Sequence, residues 1–107
     1  MRQMTLAVDF DRVLHDTDNP VMGRRMGAPM EGAVASMWAL RRRGYRLVVF
    51  TTNRIAPVTD WLDYYQVAYD DVTNTKPDAD IYIDDKALRH VNWTDTMIAI
   101  GRLERGL

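Results

Sequence analysis

The chain has 107 residues, no cysteine, and 14 basic against 15 acidic side chains, for a formal net charge of -1. That length fits one small domain, and 47% hydrophobic with 27% charged residues are ordinary globular proportions, which argue against disorder and exclude a disulfide or cysteine-ligated zinc scaffold. The near-neutral charge argues against a dedicated nucleic-acid coat but leaves room for a local phosphate-binding patch, and with no apolar run of bilayer length and no cleavage site after the N-terminus, the expected location is the cytoplasm, away from membranes.

Residues 4–10 (MTLAVDF) form an apolar run of strand length. Residues 12–29 are eighteen residues, enough for a flap. A helix is expected over residues 31–43, with Val34, Met37, Trp38 and Leu40 near helical spacing and Pro29 and Gly44 at its ends. Residues 46–51 (RLVVFT) are too short for a helix and rich in β-branched side chains, so they read as a buried strand. Pro57 opens a short helix with Val58, Leu62 and Tyr65 on one face. Residues 67–69 suggest a brief strand, residues 71–80 (DVTNTKPDAD) a turn-rich segment, and residues 80–84 (DIYID) another strand. Thr94 is the expected N-cap of a last helix carrying Met97, Ile100 and Leu103. Strands alternating with helices favour a parallel sheet covered on both faces, whose ligands bind beyond the carboxyl ends of the strands.

The polar residues at those ends therefore matter most. The first strand ends in Asp9 and Asp11, which a spacing of two places on one side of an extended chain. Asp84 and Asp85 end another strand. Any one of these acids could be a turn residue, but four carboxylates at one sheet edge call for a hard divalent cation with oxygen ligands, most simply Mg2+. Thr51 and Thr52 close the RLVVF strand and offer hydroxyl and backbone donors to a phosphate. The chain has only two lysines, Lys76 and Lys86, against twelve arginines, and Lys76 lies in a T-K-P turn shortly before the second acidic pair. Taken alone it reads as a solvated turn lysine.

The order V-D-F-D, V-V-F-T-T-N, T-K-P, Y-I-D-D-K-A, spread over residues 5–87, resembles the four motifs of the haloacid dehalogenase-like (HAD) superfamily of phosphotransferases, in its small capless stand-alone form. The resemblance implies a minimal three-layer Rossmann-like α/β fold over residues 1–107, with helices on both faces and no cap domain. It implies a Mg2+-dependent phosphatase working through an aspartyl-phosphate. In that assignment Asp9 is the nucleophile and Asp11 the general acid, with its backbone carbonyl on the metal. Asp84 and Asp85 complete the metal set, Thr51 or Thr52 holds the phosphoryl oxygens, and Lys76 stabilises the transferring charge, with Lys86 in reserve. Two departures stand out. Arg12 occupies a position where the family usually has glycine, and the interval from Lys76 to Asp84 is short.

Other constellations are weaker. Ser36, the only serine, lies within a predicted helix, which leaves a serine-hydrolase triad without a nucleophile. His15 and His90 lack metal-ligand spacing and read as surface or packing residues, while Trp38, Trp61 and Trp93 read as core. A receiver-like regulatory module carries its acidic pair early and its lysine last, whereas here D-x-D is first and D-D is last. A non-catalytic Mg2+ or phosphate-binding module would not need Asp11. The intervals between motifs are too short for a cap, so an open site is expected. Its substrate would be a phosphorylated small molecule or polymer end, nucleic acid included, and a second copy of the chain could supply a lid.

Overall fold

The computed structural model describes residues 2–106. In chain order its elements are β1 (Thr5–Asp9), β2 (His15–Pro20), β3 (Gly27–Pro29), α1 (Ala33–Arg42), β4 (Arg46–Phe50), α2 (Ile55–Tyr64), β5 (Asp71–Thr73), β6 (Ile81–Ile83) and α3 (Trp93–Gly106). The fold is α/β and Rossmann-like: β5-β4-β1-β6 form a four-stranded sheet in which all pairs are parallel, and β2 and β3 form a separate antiparallel hairpin. No helix among the described residues is long and apolar enough to cross a membrane.

Alternation within the strands builds the core. Leu6, Val8 and Phe10 of the first strand and its end, with Leu47 and Val49 of β4, share one cluster with Ala33 and Met37 of α1 and Val58, Trp61 and Leu62 of α2. Gly44 ends α1 because it takes the left-handed conformation (φ 94°), and its N–H closes on the Arg41 carbonyl. Arg41 and Arg42 sit in the last turn, where cations suit the helix dipole, and Arg41 also pairs with Asp70 at 2.9 Å.

Several expectations are corrected. The strand expected at residues 67–69 is absent; Val67 and Ala68 are buried without ladder pairing, and the strand forms instead at Asp71–Thr73, inside the segment read as turns. Asp70 sets that start, since its N–H donates to the Leu47 carbonyl and its Oδ2 accepts the Leu47 N–H at 2.8 Å. Helix α3 begins at Trp93, and Asn92 rather than Thr94 caps it, its Oδ1 accepting the Asp95 N–H while its amide returns a bond to the Asp95 carboxylate. Of the three tryptophans only Trp61 is core; Trp38 is 40% exposed, with its Nε1–H on the Gln66 carbonyl, and Trp93 is 70% exposed. The flap segment, residues 12–29, holds the β2-β3 hairpin, which was not expected.

The strand order positions the site. From β1 the chain moves outward through β4 to β5, then returns across both to place β6 on the other side of β1. The boundary between β1 and β6 is therefore the point where the winding direction reverses, and in open parallel sheets ligands bind there, beyond the carboxyl ends. Val8 is level with Ile83 in the sheet, which brings the next residues, Asp9 and Asp84, side by side.

Candidate functional site

Asp9, Asp84 and Asp85 each present a carboxylate oxygen, and the three oxygens lie within 4.8 Å of one another at that boundary. Asp9 is half-buried, its Oδ1 accepting the Phe10 N–H at 2.9 Å, whereas Asp84 and Asp85 are exposed. Burial, followed by repulsion from Asp84, Asp85 and Asp11, pushes the Asp9 carboxyl above its ordinary range against the pull of the Phe10 bond. Asp84 is oriented by the Lys86 N–H, which donates to its Oδ1 at 2.7 Å. An all-oxygen set of this kind suits a hard cation.

The Asp11 side chain lies outside that trio. Its Oδ1 meets His15 Nδ1 at 3.0 Å and the Thr17 hydroxyl at 3.1 Å, and its Oδ2 accepts the Asn53 amide at 2.9 Å. Burial would raise this carboxyl, but the hydrogen bonds from His15, Asn53 and Thr17 outweigh it and hold Asp11 below the usual carboxylate range.

The turn after Asp9 is closed by the Phe10 carbonyl, which accepts both the Leu14 and His15 N–H groups. At its corner Arg12 takes a left-handed conformation (φ 65°), the conformation a glycine would adopt without strain. Its N–H meets the His15 carbonyl and the Thr17 hydroxyl, and its guanidinium reaches Asp18 at 3.1 Å. The turn thus forms with arginine in the glycine position.

Thr51 is buried: its N–H joins β5 through the Thr73 carbonyl, and its Oγ1 accepts the Asn53 N–H at 3.0 Å. Thr52 is exposed beside it. This Thr51 bond shapes the turn that presents Asn53 to Asp11, a role for Asn53 that residue type alone did not reveal. Lys76 lines a cleft with Phe50, Tyr82 and Asp84, and its ammonium lies 5.0 Å from the centre of the Tyr82 ring. Tyr82 also fastens the T-K-P loop, its hydroxyl donating to the Pro77 carbonyl at 2.7 Å. Lys76 has no carboxylate within ion-pair distance among the described residues.

His15 is a packing residue and more than that. It is 5% exposed, stacked on Phe10 with ring centroids 4.9 Å apart and set edge-on to Trp61 at 5.6 Å, so the packing reading holds, but both ring nitrogens are also bonded. His90 bonds to the Thr96 hydroxyl beside Trp93.

The chain matches no family model and no curated protein. Among solved structures it is similar to one described as a conserved protein coded by a locus from Bacteroides thetaiotaomicron, with a TM-score of 0.65 at 20% identity, covering 94% of this chain and 92% of that one. At that identity the likeness is one of fold: an α/β architecture shared over nearly the full length of both chains.

Proposed function

We propose that the protein is a Mg2+-dependent phosphatase of the HAD type, acting on a phosphate monoester through an aspartyl-phosphate. The observation that carries this reading is the trio of Asp9, Asp84 and Asp85 oxygens within 4.8 Å at the strand-order reversal. The separately held Asp11 beside it adds the second carboxylate that two-step phosphoryl transfer needs.

Asp9, Asp84 and Asp85 would hold the cation, which when bound supplies charge neutralisation between a carboxylate nucleophile and an anionic ester. An Asp9 oxygen forms the bond to phosphorus as the bond to the leaving oxygen breaks, and protonated Asp11 gives its proton to that oxygen. Asp11, now ionised, takes a proton from water as the water attacks phosphorus and releases Asp9. The three donors on Asp11 favour the ionised form used in this second half. A phosphate dianion brought alongside favours the protonated form needed in the first. Thr51 or Thr52 binds phosphoryl oxygens, and Lys76, with no paired acid among the described residues, stabilises the transferring group.

The reading includes helices on both faces of the sheet, no cap and a cytoplasmic location. Exposure of Asp84, Asp85 and Thr52 supports an open site that admits a bulky ester, such as a phosphorylated polymer end.

The direct test is hydrolysis of a generic aryl phosphate, which should require Mg2+, stop with EDTA and resume when Mg2+ is restored. A panel of sugar phosphates, nucleotides and 3'- or 5'-phosphorylated oligonucleotides then assigns the substrate class. Calorimetric Mg2+ binding with no turnover across the panel would make the protein a binding module instead. Lys76→Ala should lower turnover on the order of 100- to 1,000-fold in steady-state kinetics; an unchanged rate would transfer the role to Lys86.

A further inference from the structure

The bonding around His15 is over-determined in a way that packing does not require. The Gly27 N–H lies 2.8 Å from His15 Nε2, and a backbone amide can only donate. Nε2 must therefore present its lone pair, which leaves the ring proton of the neutral imidazole on Nδ1, 3.0 Å from Asp11 Oδ1. The ring cannot readily turn over. It is buried between Phe10 and Trp61, and a flip would replace both hydrogen bonds with C–H contacts. Gly27 is fixed in turn: Trp61 Nε1–H donates to its carbonyl at 2.8 Å, and a Cβ at this position would run into the Asp16 carbonyl oxygen.

We propose that His15 is a positioning residue for proton transfer: locked as the Nδ1–H tautomer by Gly27, it occupies Oδ1 of Asp11 and leaves Oδ2 as the oxygen that exchanges the proton. This rests on the phosphatase reading above. The His15 Nδ1–H takes one lone pair of Oδ1, and the Thr17 hydroxyl, 3.1 Å away, can take the other. Oδ2 accepts only from Asn53 among the described residues and keeps a second lone pair for a proton. In the first half-reaction the Oδ2 proton goes to the leaving oxygen as the Asp9–phosphorus bond forms; in the second, Oδ2 recovers a proton from the attacking water as that bond breaks. His15 touches neither substrate nor phosphorus, and its proton stays on Nδ1 throughout. The β2-β3 hairpin, otherwise remote from the acidic trio, thereby sets the geometry of the acid.

Two substitutions separate the ring's two bonds. His15→Gln can keep an acceptor for Gly27 at the Nε2 position while losing the donor to Asp11, whereas His15→Asn keeps a donor near Nδ1 and loses the hairpin acceptor. For His15→Gln we expect a folded protein whose melting temperature drops only by the lost ring contacts with Phe10 and Trp61 and, well below that temperature, an unchanged KM and a loss of about 100-fold in kcat on an alkyl phosphate, whose leaving group needs a proton. On p-nitrophenyl phosphate, whose leaving group departs as a stable anion, the loss should be much smaller. His15→Asn should melt lower yet recover alkyl phosphate turnover to within about tenfold of wild type. Nitrogen-15 correlation spectra of the wild-type imidazole, assigned by comparison with a His90 variant, should show Nδ1 protonated and Nε2 bare. An active wild type with the proton on Nε2, equal losses on both esters for His15→Gln, or Gln outperforming Asn on the alkyl ester would overturn the proposal alone. A wild type without turnover on either ester would bring down the phosphatase reading, and the proposal with it.

Discussion

Asp9→Asn is expected to abolish phosphate-ester hydrolysis while making the metal-free protein more stable. The activity loss should reach about 10,000-fold or more, because an amide cannot form the covalent intermediate and the remaining groups provide only binding and electrostatics. The stability gain follows from the sign of the Asp9 shift. Its carboxyl is raised by burial and then by Asp84, Asp85 and Asp11, so its favourable contribution to folding is complete below the unfolded-state value and is lost as pH rises through the folded one. Near neutral pH the ionised group therefore costs stability. Asparagine removes that cost and can still accept the Phe10 N–H. Solvent reaches the half-buried group and screens it, so the gain is expected to be small, a rise in Tm and not a large one. The gain should shrink in acid, where wild-type Asp9 becomes neutral. Saturating Mg2+ should reverse the order, since binding at 100 times Kd stabilises the wild type by about 2.7 kcal/mol and the variant has lost a ligand. Thermal melts with EDTA and with excess Mg2+ check both halves. A variant less stable than wild type under both conditions would mean that Asp9 is paired rather than repelled.

Asp11 carries the opposite sign. Its depressed carboxyl contributes stability above the unfolded-state value, and that contribution disappears as pH falls through the folded one. Two carboxylates two residues apart are thus driven in opposite directions by their surroundings. Asp9 faces other acids, and Asp11 faces donors. That divergence suits a pair in which one member attacks and the other exchanges protons.

Much of this arrangement is legible in the sequence because parallel topology constrains it. Once β1 and β6 are recognised as strands of one parallel sheet, their carboxyl ends must lie along the same edge, and Asp9 must share that edge with Asp84 and Asp85. Composition cannot reveal that the two strands are neighbours, because the order β5-β4-β1-β6 depends on a crossover from β5 past two strands. The hairpin escaped for a different reason. HDTDNP and GAP contain almost none of the β-branched and aromatic residues that signal strands, and what holds them is a set of specific bonds through His15, Thr17 and Gly27. Val67 and Ala68 misled in the converse sense: apolar and buried, they pack beneath α2's end without joining the ladder. Hydrophobic pattern reports burial. It does not report which backbone groups find partners. The role of His15 was hidden by the same limit, since four residues from Asp11 is an unremarkable spacing until a tight turn folds it back.

Phe10→Ala should be the most damaging core substitution near the site, because this one side chain serves both the core and the acids on either side of it. Phe10 is fully buried, 4.9 Å from the His15 ring in a stacked arrangement and 5.0 Å from Trp61 edge-on. Truncation removes those contacts and leaves a cavity, at a cost of about 3–5 kcal/mol. A chain of this length is stable by roughly 5–15 kcal/mol, so the loss consumes a large share of it and should lower the Tm by well over about 10 °C. Urea denaturation read by tryptophan fluorescence gives the free energy directly, and a cost below about 1 kcal/mol would mean that the Phe10-His15-Trp61 stack does not form as described. Phe10→Leu separates the two contributions. Leucine refills most of the volume and gives up the ring-ring geometry, so it should cost only about 1–2 kcal/mol. His15 then keeps its hydrogen bonds but loses the flat surface that holds its plane, and Asp11 loses part of its orientation with it. Turnover should therefore fall further for Phe10→Leu than its folded fraction explains, and more on an alkyl phosphate than on p-nitrophenyl phosphate. The core residue between the two acids would then be shown to act on chemistry through the ring it supports.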